Sequence, residues 1–148
     1  MADGPIIEVT MPALLRAART TYGAAMRKAL AQAGFDDIPK NGIFVIGAIS
    51  RTGAPLAMVI RLLGVSKQSA GQLVDALVER GYLERATDED DRRRLTLRLS
   101  ERGRAAAKVS RAAGERVDAA LLKKVGRERL AHARETLMAL IALKEDEA

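Results

Sequence analysis

Leu56-Ala-Met-Val-Ile-Arg-Leu-Leu-Gly-Val-Ser-Lys-Gln-Ser-Ala-Gly-Gln-Leu-Val-Asp-Ala-Leu-Val78 is the stretch from which the fold of this chain can be read. Its opening residues put Leu56, Val59, Ile60 and Leu63 on one side of a short helix, and Gly64 stops it. Ser66 carries a hydroxyl that can cap the next helix by accepting a backbone N–H. Beyond it, Ala70, Leu73, Val74, Leu77 and Val78 recur at i, i+3, i+4, i+7 and i+8, the spacing of a helix with one buried stripe. Two short helices joined through Leu63-Gly-Val-Ser66, a brief turn with a glycine among apolar residues, suit a helix-turn-helix.

The buried stripe also fixes the free face. Lys67, Gln68, Gly71, Gln72, Asp75 and Glu79 lie opposite it. In a DNA-binding helix-turn-helix the N-terminal part of the second helix enters the major groove. Phosphates would repel Asp75 and Glu79, so the N-terminal half is the half suited to DNA. Gln68 and Gln72 are one turn apart and can bond base edges, adenine above all. Gly71 between them permits close approach. Lys67, with the hydroxyls of Ser66 and Ser69 at the positive end of the helix, suits phosphate.

Downstream, Gly81 ends the helix, and Tyr82–Arg85 and Leu95–Leu99 read as two strands. The second alternates cleanly, with three leucines on one face and Thr96 and Arg98 on the other. The segment between them is charged and holds Asp88, Glu89, Asp90, Asp91, Arg92, Arg93 and Arg94. It is the exposed tip of a hairpin. Arginine suits a narrow minor groove, where negative potential is focused. The four acids nearly neutralise the loop, so one carboxylate, Asp91 by position, is read as pairing with an arginine and orienting it. A hairpin directly after a helix-turn-helix makes a winged helix.

The winged unit, residues 39–99 with its wing at 82–99, sits inside a longer helical chain. Residues 13–33 keep helical spacing from Leu14 to Leu30, after a loose arm at 1–10. Residues 39–49 form a helix that is apolar nearly all round and therefore buried. Ser100 can cap a long helix from Glu101 to about Lys124, which Gly126 ends. A last helix runs from Arg127 to Leu143, with Leu130, Leu137, Leu140 and Ile141 as its stripe, before an acidic tail at Glu145–Glu147 that is expected to fray. The fold class is thus mainly α with a small β-hairpin, in one domain spanning residues 1–148.

Composition narrows the function. The 148 residues carry 25 Lys+Arg against 19 Asp+Glu, a net charge of +6 that suits an anionic partner. With no cysteine there is neither a thiolate metal site nor a thiol redox switch, and with one histidine, His132, there is no His cluster. Aromatic residues are 3% with no tryptophan, too few for a base-stacking single-strand binder. A Ser-His-Asp hydrolase would have to use His132, which lies beside Arg129 and Arg134 with no nucleophile elbow in the chain. No cofactor, metal site or enzyme is expected. The longest apolar run, Ile43–Ile49, is far below the roughly 20 residues that span a bilayer. Asp3 and Glu8 argue against a signal peptide, so the expected location is the cytoplasm.

Three segments together resemble the MarR (multiple antibiotic resistance regulator) family of winged-helix repressors. Leu62-Leu-Gly-Val-Ser-Lys-Gln-Ser69 resembles its turn. Leu77-Val-Glu-Arg-Gly-Tyr-Leu-Glu-Arg85 resembles the end of its recognition helix and first wing strand. Asp91-Arg-Arg-Arg-Leu-Thr-Leu-Arg-Leu-Ser-Glu-Arg-Gly103 resembles its wing signature, Asp-x-Arg followed by an apolar strand. The resemblance implies DNA contacts at Ser66, Lys67, Gln68, Ser69 and Gln72. It implies Arg93 in the minor groove with Asp91 as its support, while Arg92 and Arg94 flank it. Arg94 stands where the family often has a small residue, which leaves open which arginine enters the groove. The resemblance further implies a homodimer joined through helices 13–33 and 101–143. Leucines on those helices, which the winged unit cannot bury, argue for the same pairing. A twofold dimer expects a roughly palindromic double-stranded operator. Family members often answer to small aromatic anions, and Arg16, Arg19, Tyr22 and Phe44 are the residues here that could line such an effector site. The other classes kept open are an architectural DNA coater with little sequence preference, and a helical interaction module without nucleic acid.

Overall fold

Thr10 holds extended backbone (φ −63°, ψ 149°) and leads into α1 (Met11–Gln32), with Pro12 in the first turn, where its missing N–H leaves no intrahelical bond unmade. The helix starts two residues before the expected Ala13 for that reason. In this computed structural model the described residues are 9–52, 56–87 and 95–146. Helix α2 (Gly42–Thr52) begins three residues later than its apolar pattern predicts. Asn41 takes a left-handed φ of 68°, and Gly42 donates its N–H to Pro39 O at 2.8 Å, so residues 39–41 form a turn and not the first turn of the helix.

Helices α3 (Leu56–Leu63) and α4 (Lys67–Glu79) flank a tight turn in which Gly64 has φ 66°. Of the expected α3 stripe, Val59 is buried and Leu63 half-buried, while the side chains of Leu56 and Ile60 fall outside the described set. In α4, Ala70, Val74 and Leu77 are buried, with Leu73 and Val78 packed against the core. Strands β1 (Leu83–Thr87) and β2 (Leu95–Leu99) pair antiparallel, Leu83 opposite Leu99 and Arg85 opposite Leu97. The first strand starts one residue after the expected Tyr82. Tyr82 instead donates its N–H to Leu77 O at 2.8 Å and so belongs to the exit from α4. Helix α5 (Glu101–Val125) and helix α6 (Arg127–Asp146) complete the chain. Nothing between Leu143 and Asp146 breaks a helix, so Glu145 and Asp146 extend α6 where a frayed tail was expected.

The chain divides into two compact units, Met1–Ala113 and Gly114–Ala148. The core of the first gathers Leu30 from α1, Ile43, Val45 and Ile46 from α2, Val59, Val74, Leu77, Tyr82, both strand leucines at 83 and 99, and Ala106 and Ala107 from α5. In the second, Gly126 turns the chain at φ 86°, and α6 leaves Leu137, Leu140, Ile141 and Leu143 exposed, Ile141 at 58%.

The junction between hairpin and α5 is closely hydrogen-bonded. Ser100 is buried; its N–H donates to Tyr82 O at 3.0 Å, its hydroxyl donates to Gly81 O, and it accepts from Gly103 N at 2.9 Å. One serine thereby caps α5 and closes the hairpin root. Beside it, Tyr82 is fully buried and donates its phenol O–H to Asp37, which also receives Arg102 Nη2 at 2.9 Å. Arg102 lies over the Tyr82 ring at 4.7 Å, and Phe35 meets that ring edge-on at 6.3 Å.

The bond from Tyr82, followed by those from Arg102, holds the Asp37 carboxyl below its ordinary value of 3.8 against the opposing effect of burial. Burial, then the Asp37 carboxylate, pushes the Tyr82 phenol above 10.0. A lowered carboxyl stabilises the fold above its unfolded pKa and loses that contribution as pH falls through the folded one; a raised phenol does the reverse on the alkaline side. The contribution of this cluster to stability is therefore expected to be flat between about pH 5 and 9. Removing the acid with Asp37→Asn should reduce the acid-side loss in urea melts, and an unchanged acid limb would exclude this cluster as its source.

Candidate nucleic-acid interface

The candidate face of α4 is built from the cap upward. Ser66 is extended (φ −64°, ψ 157°); its Oγ accepts Ser69 N–H at 3.1 Å and donates to Ser69 Oγ at 3.0 Å. The two hydroxyls are tied together at the positive end of α4. Because Ala70, Val74 and Leu77 are buried, the opposite face is free: Ser66, Lys67, Gln68, Ser69, Gly71 and Gln72 are all exposed. A side chain at Gly71 would meet nothing within 4 Å. This is a continuous surface of one cation, two amides and two hydroxyls around a gap the width of a missing side chain. The structure thus brings together all five recognition-helix residues expected from the sequence.

The wing candidates Asp91, Arg92, Arg93 and Arg94 lie outside the described residues. The root of the wing is described, and it holds two ion pairs that the sequence reading did not single out. Arg85 Nη2 donates to Asp75 Oδ1 at 3.0 Å, joining β1 to α4. Arg98 Nε donates to Glu84 Oε2 at 3.1 Å, across the strands. The signal for the first was present in the alternation. Leu83, Arg85, Leu97 and Leu99 share one face of the hairpin, so a charged residue stands where an apolar one is usual.

The effector candidates are only partly brought together. The Arg19 guanidinium lies 4.2 Å from the centre of the Phe44 ring, linking α1 to α2. Arg16 instead lines an open groove of about 560 Å³ with Pro12, Ala13, Ala17 and Thr20. Tyr22 and Phe44 are half-buried. Among the described residues no group of three or more His, Cys, Asp or Glu could hold a metal ion, and no helix is long and apolar enough to cross a membrane.

The sequence model of the MarR family matches residues 38–94. No curated protein matches the chain. Solved structures share the fold. FabT of Streptococcus pneumoniae in complex with DNA is 22% identical, with a TM-score of 0.71 over 91% of this chain and 95% of that one. NadR in complex with 4-hydroxyphenylacetate is 18% identical, with a TM-score of 0.72 over 94% of this chain and 97% of that one. The S. aureus MepR–DNA complex is 17% identical, with a TM-score of 0.70 over 91% of this chain and 98% of that one. The chain thus resembles the MarR family over residues 38–94, which hold its helix-turn-helix, and the fold it shares with these solved structures extends well beyond that segment.

Proposed function

We propose that this protein is a homodimeric regulator that binds specific double-stranded DNA, acts as a repressor and is released by a small-molecule effector. The observation that carries the reading is the exposed face of α4. Gln68 and Gln72 flank Gly71 there, above a capped helix N-terminus with Lys67 beside it. Amides read base edges, whereas a surface built only to hold phosphates would be richer in lysine. Support comes from the relatives solved with DNA, FabT and MepR, and with a phenolic carboxylate, NadR.

In this reading Ser66, Lys67 and Ser69 hold phosphate, Gln68 and Gln72 read bases, and the wing arginine Arg93, supported by Asp91 and flanked by Arg92 and Arg94, enters the minor groove. Residues 39–99 are the DNA-binding part, and helices 13–33 and 101–143 join the dimer. The exposed α6 side chains Leu137, Leu140 and Ile141 fit that role. Arg19 over Phe44 offers a cation and a ring face to an aromatic anion, with Arg16 and Tyr22 as further lining. The protein acts in the cytoplasm without enzymatic activity.

Selection from a random duplex pool at near-physiological salt tests the proposal. A palindromic motif with half-sites about one helical turn apart is the expected result. An enriched pool with no motif and steep salt dependence would instead favour an architectural coater. No retention of DNA even at low salt would favour an interaction module.

A sharper test uses Gly71→Ala. It should raise fold stability by up to about 1 kcal/mol, because alanine is the better helix former and its methyl meets open space. It should nonetheless weaken binding to the selected duplex at least tenfold, because the methyl fills the gap into which DNA packs. Equal affinity in the stabilised variant would take the middle of α4 out of the interface.

A further inference from the structure

We infer that Arg85, held by Asp75, is a phosphate-backbone contact at the root of the wing. The inference rests on the DNA-binding reading above and adds a contact outside the recognition helix and the wing tip.

Asp75 sits on the reading face of α4, four residues beyond Gly71 and three beyond Gln72, so it faces the same way one turn later. An acid there would repel the phosphates that border the groove. The structure places Arg85 Nη2 3.0 Å from its Oδ1, with the side chains of Arg85 and Asp75 still 56% and 70% exposed. The carboxylate engages one nitrogen of the guanidinium fork. The remaining donors of the fork stay available to an oxygen ligand.

Stability does not account for the pair. An ion pair this exposed contributes about 0–1 kcal/mol. Nor does the strand pattern call for it, since Arg85 stands on the hairpin face that Leu83, Leu97 and Leu99 share. From that face its head group reaches the acid on α4. Asp75 then acts as the support of a cation, and the acidic end of the reading face becomes able to meet phosphate. Arg98 is the internal control. It makes the same kind of pair, with Glu84 at 3.1 Å, from the opposite face of the hairpin.

The test is equilibrium binding of the selected duplex, and of an unrelated duplex, by the full chain across a series of KCl concentrations. The proteins are the unsubstituted protein, Arg85→Ala, Arg98→Ala and the double variant Arg85→Ala/Asp75→Ala, with thermal melts to establish that each is folded. Each lost phosphate contact should reduce the slope of log K against log salt by about 0.9, so a dimer presenting two copies should lose about 2. Arg85→Ala is expected to show that reduced slope and at least tenfold weaker binding near 150 mM salt, on both duplexes alike. Arg98→Ala should keep the original slope. The double variant should keep the reduced slope.

A folded Arg85→Ala with the original slope would overturn the inference. So would a double variant restored to full affinity and slope, because Arg85 would then only neutralise Asp75. If the unsubstituted protein binds neither duplex even at low salt, the DNA-binding reading fails and this inference with it, an outcome distinct from either Arg85 result.

Discussion

Gly103→Ala is expected to destabilise the protein by about 2–3 kcal/mol, although alanine is the better residue for a helix interior. A Cβ at position 103 falls 2.1 Å from the Tyr82 carbonyl oxygen and 3.2 Å from Leu99 Cδ2. That carbonyl cannot simply turn away, because it accepts the Ser100 N–H at 3.0 Å. Alanine would gain about 1 kcal/mol in helix propensity. Against this stand overpacking, about 1–3 kcal/mol or more, and a weakened backbone bond of about 1 kcal/mol. Urea unfolding should show a lower midpoint with an unchanged slope. An unaltered midpoint would mean that α5 and the hairpin root do not approach this closely. The contrast with Gly71 is informative, since the same substitution in α4 meets open space and is expected to stabilise.

Leu77→Ala should cost about 3–4 kcal/mol, in the middle of the range for a fully buried leucine. Leu77 is 0% exposed and belongs to the core that also holds Ile43, Ile46, Tyr82 and Leu83. Its tip lies 3.1 Å from where a Cβ on Gly42 would be, which shows how near the α2 backbone passes. Loss of the side chain leaves a void that the hydrogen-bonded exit of α4, Tyr82 N–H to Leu77 O, keeps from collapsing. The neighbouring Val78→Ala, at a half-buried position, should cost no more than about 1.5 kcal/mol. Operator affinity of Leu77→Ala should fall only as its folded fraction falls. Loss of affinity in fully folded Leu77→Ala would instead show that the side chain sets the pose of α4 on DNA.

The α4 stripe and its Ser66 cap were legible because both are short-range patterns. The helix period sorts Ala70, Val74 and Leu77 from Gln68 and Gln72, and the cap bond spans three residues. The same holds for Ser100 before α5 and Gly126 after it. The start of α2 was not legible, since the positive φ of Asn41 is a torsion that apolar periodicity does not record. Tyr82 looked like a strand residue by type, yet its backbone partner, Leu77, assigns it to the helix exit. The cluster of Asp37, Tyr82 and Arg102 joins residues up to 65 apart in sequence, beyond any local pattern. Of the four effector candidates the fold pairs Arg19 with Phe44 and sets Arg16 in a groove with other partners.

The bonds around Ser100 have a mechanical meaning. Leu77 at the end of α4, Tyr82 and Ser100 form an unbroken series of backbone hydrogen bonds, and Ser100 Oγ carries it to the N–H of Gly103 in α5. The bonds in this series are 2.8–3.0 Å long, and its one side-chain member, Ser100, is buried. The start of α5 and the end of α4 are therefore geared together. A flexible loop in this place would let the two helix ends move independently, whereas these bonds make them move as one piece.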